Sequence, residues 1–211
     1  MTKTIFHPGI PPALKKPEKI QEYLDSTKYN AGKCTRSPRL VYQMNEAHCF
    51  ESAMFAAACL EQAGYQPLVI DMIAEDDDDH VVAVYKVYNC WGAVGKSNFT
   101  TLRYREPVYR SLRELVMSYF DFYFNTNGFK SLRAYSRPVN LHRFDYLNWR
   151  TTEEDLDLIG QYLNSVAHYP LLTKDQIRLL APATPSLLSS SLVGSNPDGL
   201  FVPGSKKYPG S

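Results

Sequence analysis

The sequence predicts an α+β fold in which a buried central helix packs on an antiparallel sheet and further helices follow. Three observations carry this. The run "SAMFAAACL", inside residues 46–63, is apolar on nearly every helical face, and a helix with no polar face belongs in a core. Strand-like runs follow it directly. Two of them, "HVVAVYKVY" (80–88) and "CWGAVGKS" (90–97), meet at Asn89 with no room for a helical crossover, so they pair antiparallel. Helical spacing returns after residue 111, so helices and strands are segregated rather than alternating.

The elements follow in order. Residues 7–17 are proline-rich and are expected to lie extended against the domain. "PEKIQEYLDS" (17–26) reads as a short helix with proline at its first position. For residues 46–63, Asn45 is the expected N-cap and Gly64 the C-terminal stop. "PLVIDMIA" (67–74) is the first strand, and "FTTLRYRE" (99–106) a further one. Ser111 and Glu114 form a capping box for a second helix, whose buried face is Leu112, Leu115, Val116, Tyr119, Phe120 and Tyr123. Asn127–Gly128 is expected to end it. "KSLRAYSRPVNL" (130–141) looks extended. Residues 153–167 form a third helix after Thr151 and Thr152, with Leu156, Ile159 and Leu163 as its apolar stripe.

A chain of 211 residues supports one domain with a sizeable core, read here as residues 1–180. From Ala181 onward sixteen of thirty-one residues are Pro, Gly or Ser, which predicts a flexible tail over 181–211. The formal net charge of +1 and the absence of a recognition motif exclude nucleic acid as the expected partner. The N-terminal "MTKTIFHPGIPPALKKP" has no apolar run of signal-peptide length, and no stretch approaches the roughly 18–20 apolar residues that span a bilayer. The expectation is a cytoplasmic protein with no membrane partner. Cys34, Cys49, Cys59 and Cys90 are scattered without a C-x-x-C pair, so no zinc ribbon, redox dithiol or disulfide framework is expected, and no metal or other cofactor. Nothing in the sequence fixes the oligomeric state.

Cys49 carries the chemical interest. It falls in the first turn of the predicted helix, where unpaired N–H groups and the positive dipole end favour a thiolate. Cys59, deep in the same helix, is a core residue. A nucleophilic thiol needs a base. His48 is adjacent to Cys49 and points elsewhere, whereas His80 opens a strand beside the acidic loop "EDDDD" (75–79) and is placed to face a cleft. His7, His142 and His168 read as structural. A base needs an orienter, and the returning strand brings "KSN" (96–98) level with His80, making Asn98 or Ser97 the third member. Gln43, six residues before Cys49, and Trp91 are further cleft candidates, the first as an oxyanion donor. The acidic loop is either a solvated turn or a field that raises the pKa of His80 and attracts cationic substrates. Arg103, Arg105, Arg110 and Arg113 stand ready to pair with it or with Glu106 and Glu114.

The order Cys49, His80, Asn98, carried by "HCFESA" and "DDHVVAVYK…CWGAVGKSNF", resembles the transglutaminase-like branch of the papain-like cysteine enzymes over roughly residues 40–125. That branch usually has Asp as its third member, where this chain offers Asn98 or Ser97. The resemblance implies a helix packed on an antiparallel sheet, a thioacyl intermediate, and hydrolysis, deamidation or transamidation of an amide. The substrate would be a peptide, a protein or an amide-containing small molecule. Cys49 would attack the carbonyl, His80 would carry the proton, and Asn98 would hold His80. The alternative is a catalytically inactive module of the same fold that serves as a binding or scaffold domain, with Cys49 packed.

Overall fold

The computed structural model describes residues 11–205. The expectations for residues 7–10 and 206–211 lie outside the described residues. In chain order the elements are α1 (Pro17–Ser26), β1 (Lys28–Tyr29), α2 (Pro38–Met44), β2 (Glu46–Ala47), α3 (Cys49–Gln62), β3 (Leu68–Ala74), β4 (His80–Val87), β5 (Cys90–Val94), β6 (Arg105–Tyr109), α4 (Leu112–Phe120), β7 (Leu132–Ser136), β8 (Val139–Asn140), α5 (Asp157–Ser165), β9 (His168–Pro170), α6 (Lys174–Arg178) and α7 (Pro185–Ser191). Short 3₁₀ turns at Thr100–Leu102, Leu141–Leu147 and Pro197–Gly199 complete the path. The fold is mixed α+β around an antiparallel sheet in the order β6-β5-β4-β3-β7-β9, with β8 also on β3. Among the described residues no helix is long and apolar enough to cross a membrane.

The sheet is buried on both faces, and strand alternation sorts its side chains into two cores. Val81, Ala83 and Tyr85 of β4 and Val69 of β3 face α3, together with residues of α1, α2 and α5. Val82 and Val84 of β4, with Ile70 and Met72 of β3, face α4. The α3 helix is buried from Phe50 to Gln62. Its alanines leave no bulk between helix and sheet, so α3 lies close against β4.

Several boundaries differ from the sequence reading for identifiable reasons. Pro38 opens α2, and Asn45, expected to cap α3, ends α2 in the left-handed conformation (φ 52°). His48 takes the N-cap position instead, and Glu51 accepts from its backbone N–H at 2.9 Å. Gly64 (φ 92°) stops the helix as expected. The β4–β5 hairpin turns through Tyr88 and Asn89, both at positive φ, the signature of a primed turn. The expected strand over 99–106 is a 3₁₀ turn followed by β6. Ser111 caps α4 by accepting from Glu114 N, yet α4 ends at Phe120, well before Asn127–Gly128. The third helix begins at Asp157, and Leu156, Ile159 and Leu163 are buried as the stripe required. β7 and β8 are one extended run broken at Arg137–Pro138. There Ser136 Oγ, at 2.9 Å, takes the Asp71 N–H that a ladder carbonyl would otherwise accept.

The segment from Ala181 is expected as a flexible tail; its described residues, 181–205, are mostly exposed but carry α7 and pack on the body at several points. Leu187, Leu188, Leu192 and Leu200, each half-buried, pack against the α4-face core, and Ser191 is fully buried. A Pro/Gly/Ser-rich composition concealed four leucines with a place to go.

The carboxylate of Glu51 is fully buried and accepts from His48 N (2.9 Å), Asn30 Nδ2 (2.9 Å) and Arg36 N (3.0 Å). Removing it strands three donors, that of Asn30 fully buried and those of Arg36 and His48 partly so. Glu51→Ala is expected to lower the unfolding free energy by about 2–4 kcal/mol, read as a fall in urea midpoint at unchanged m-value. The exposed Glu22→Ala is expected to stay within about 0.5 kcal/mol of the parent. Equal losses for the two would refute the anchoring role of Glu51.

Candidate functional site

Cys49 is the first residue of α3, as expected, and is half-buried against the α3-face core. Its Sγ lies 3.8 Å from the Asp79 carbonyl oxygen, above the start of β4. Burial pushes the thiol up to about 12, overcoming the stabilising backbone N–H of Val81. Asp78 and Asp71 act in the same direction as burial. The helix terminus that was expected to favour a thiolate is therefore outweighed by desolvation and nearby carboxylates.

His80 begins β4, as expected, but alternation sends its ring to the other face. Its Nε2 lies 2.7 Å from the Leu102 carbonyl oxygen, and the ring meets Tyr119 and Tyr123 edge-on, both members of the α4-face core. The His80 ring thus belongs to the α4-face core, whereas the Cys49 side chain packs against the α3-face core. Burial pushes the imidazole down to about 4, and the guanidinium groups of Arg105 and Arg103 act in the same direction. This goes against the second of the two readings of the acidic loop, a field that raises the His80 pKa. The loop carboxylates are engaged elsewhere: Asp77 accepts from Ser131 Oγ, Asp79 from Ala74 N, Asp76 from Gly204 N, and Glu75 from Arg133 Nε.

Asn98 does not orient His80. Its side chain donates from Nδ2 to the Asn196 carbonyl (2.8 Å) and accepts at Oδ1 from Asn196 N (2.7 Å). Ser97, level with His80 when the β4–β5 register is extended, uses its Oγ to accept from Phe99 N at 3.0 Å. Gln43 lies exposed on α2. Trp91 pairs with Lys86 near the hairpin turn, at the end of β4 remote from His80, and packs on the α4-face core beneath the Lys86 ammonium. The five partners expected to gather around Cys49 are thus dispersed.

What the chain does gather is different. A cleft of about 480 Å³ opens between the body and residues 193–196, lined by Tyr29, Glu46, Lys96, Asn98 and Arg103. Lys96 is almost wholly buried, donates to the carbonyls of Leu24 (2.9 Å) and Thr27 (2.7 Å), and is lowered to about 8 by burial. Tyr29 joins cleft to thiol: burial, then the nearby Cys49, Asp78 and Glu51, hold its hydroxyl well above the usual range. Arg103 pairs with Asp25 at 2.9 Å. On the α3 face, buried Asp71 lies 3.2 Å from His168 Nε2, whose Nδ1 donates to Val166 O at 2.8 Å. The hydrogen bond to Asp71 raises the His168 pKa. The one signal for that pair is Asp71 itself, a lone charge in the apolar run "PLVIDMIA". Among the described residues, no three His, Cys, Asp or Glu side chains are grouped to hold a metal ion.

His80 and His168 respond to acid in opposite senses. A folded pKa near 4 against about 6.5 unfolded means the unfolded chain binds the His80 proton first. That contribution is complete above about pH 6.5 and lost as pH falls towards 4, by about 3 kcal/mol. The stability advantage of the parent over His80→Gln is expected to shrink by that amount between pH 7 and pH 4. His168, raised by Asp71, contributes most below its unfolded pKa of about 6.5 and loses that contribution as pH rises through its higher folded value. The advantage of the parent over His168→Gln is expected to be larger at pH 5.5 than at pH 8.5. Urea titrations of the three proteins across this range read both, and pH-independent differences would refute both assignments.

Comparison with protein-family models gives no match to this chain, and comparison with curated protein sequences gives none either.

Proposed function

We propose that the chain is a binding module with a transglutaminase-like helix-on-sheet arrangement and without thiol catalysis. The observation that carries this reading is that the His80 ring turns into the α4-face core, with Nε2 on the Leu102 carbonyl, while Cys49 at the start of α3 packs against the α3-face core. A general base must reach the proton it removes. Here the base is spent on Leu102 O, and the pKa shifts run the wrong way for a thiolate–imidazolium pair, the thiol up and the imidazole down. The resemblance to papain-like enzymes then describes a shared scaffold rather than shared chemistry. The cleft beside Tyr29 and Asn98 supplies polar groups that read a polypeptide backbone, which suits a peptide or protein partner.

A thiol-dependent amide hydrolase or acyltransferase is the second reading, and one observation favours it: Cys49 opens a fourteen-residue helix, with the Val81 N–H directed at its sulfur. The two readings diverge in thiol reactivity. With iodoacetamide and a separate mass readout for each cysteine, exposed Cys34 is expected to react first. Cys49 is expected to lag by about tenfold or more at neutral pH, and His80→Gln to leave its rate within about twofold. Selective labelling of Cys49 near pH 6, slowed by His80→Gln, would overturn the binding-module reading in favour of the enzyme.

A further inference from the structure

Residues 195–199 lie across the mouth of the cleft in a manner that reads main chain rather than side chain. Asn98 offers its whole carboxamide to one residue, donating to the Asn196 carbonyl and accepting from its N–H. Asn196 is extended (φ −90°, ψ 114°), so its two backbone groups are presented as in a strand. Its own Nδ2 donates to the Tyr29 carbonyl at 3.3 Å. Three residues on, Gly199 lies flat against Tyr29: a Cβ there would come within 2.5 Å of the Tyr29 ring and 3.3 Å of Asn98 Nδ2. Pro197 and Asp198 form a 3₁₀ turn between these two contacts. The segment is tethered on both sides. Ser191 accepts from Thr100 Oγ1 and Thr101 Oγ1, and Gly204 N donates to Asp76.

A side-chain amide that pairs both polar groups of one extended residue recognises any polypeptide in that conformation. A flat aromatic surface that excludes a Cβ selects glycine at one position. Together they define a pattern: an extended residue, a turn, and a glycine three positions after the first. Nothing in these contacts requires that the peptide belong to the same chain.

We propose that the groove between Tyr29 and Asn98 is a recognition site for an extended peptide segment of a partner protein carrying this pattern, and that Ser195–Gly199 occupies it in cis as an intrinsic competitor. The partner enters only when the strap leaves. This deepens the binding-module reading. A reactive, His80-dependent Cys49 would overturn that reading while leaving this groove open to peptide, whereas failure of peptide binding in trans would overturn this inference and leave an unreactive Cys49 in place.

The test uses the full chain and a fluorescein-labelled synthetic peptide of residues 191–204 as probe. Asn196→Pro removes the N–H that Asn98 accepts, and Gly199→Leu places a side chain against Tyr29. Both act on the strap and leave the groove intact. Each opened variant is expected to bind the probe at least about tenfold more tightly than the parent by fluorescence anisotropy. Adding Asn98→Ala, or replacing the glycine of the probe by leucine, is expected to remove about tenfold or more. In the parent chain itself, excess unlabelled peptide is expected to speed hydrogen exchange of the 195–204 amides by displacing them. Binding by the opened variants within about twofold of the parent would overturn the proposal. So would exchange of the strap amides that neither the substitutions nor the excess peptide alters.

Discussion

A helix buried all round cannot carry an uncompensated charge, and α3 carries two. Glu51 and Glu61 are both removed from solvent, and the effective cost of burying an unpaired carboxylate is several kcal/mol. Each is therefore met by groups drawn from distant parts of the chain. Glu51 gathers Asn30, Arg36 and the backbone of His48 at the start of the helix. Glu61, near its end, holds Arg150 by a two-pronged contact (Nε 2.7 Å, Nη2 2.8 Å) and also receives His142. The segments over 28–37 and 140–150 are thus fixed to the two ends of the same helix. With α3 fixed, β3 and β4 have one surface to pack against, and the remaining strands add outward from them.

That packing decides what β4 presents. A strand buried on both faces reads as a near-continuous apolar run, so its sequence does not say which residues face which layer. In "HVVAVY" the small Ala83, flanked by Val81 and Tyr85, meets the alanine-lined helix, and this leaves His80, Val82 and Val84 for α4. A displacement of one residue would have turned His80 to the α3 face, the side against which Cys49 packs. The order Cys, His, Asn along the chain survives such a displacement unchanged, which is why the order alone suggests a triad that the faces do not assemble.

The legible parts of the fold are those governed by local rules. The buried character of residues 46–63, the primed turn at Asn89, the Ser111 cap and the Leu156–Ile159–Leu163 stripe follow from periodicity, turn chemistry and capping. What stayed hidden depends on long-range partners. Asn45 looks like an N-cap until α2 is seen to end on it. Thr151 and Thr152 suit a helix start, but the chain passes through four more residues before α5. The four leucines after residue 186 are invisible against their Pro/Gly/Ser background until α4 offers a surface. Of the candidate site, the place of Cys49 on its helix was legible; its electrostatics were not, because desolvation is a property of the packed neighbourhood.

The same distinction explains why the strap across the cleft is weakly held although the helix before it is firmly seated. The leucines of α7 and Leu192 pack against the α4-face core, so the chain is anchored at the edge of the groove. Beyond that anchor the contacts are a few hydrogen bonds, each worth about 1 kcal/mol net, and the packing of Leu200 on the α4-face core. Fixing the backbone of each residue costs about 1–2 kcal/mol, a cost that Pro197 and Pro203 reduce by restricting the free chain. Gain and cost are of similar size, so the strap stays bound chiefly because its anchor keeps it close, at an effective concentration set by a few residues of linker. A segment held in that way leaves and returns with only Leu200 withdrawn from the α4-face core. The body beneath it, pinned by the carboxylates of α3, keeps the groove formed whether or not the strap is in it.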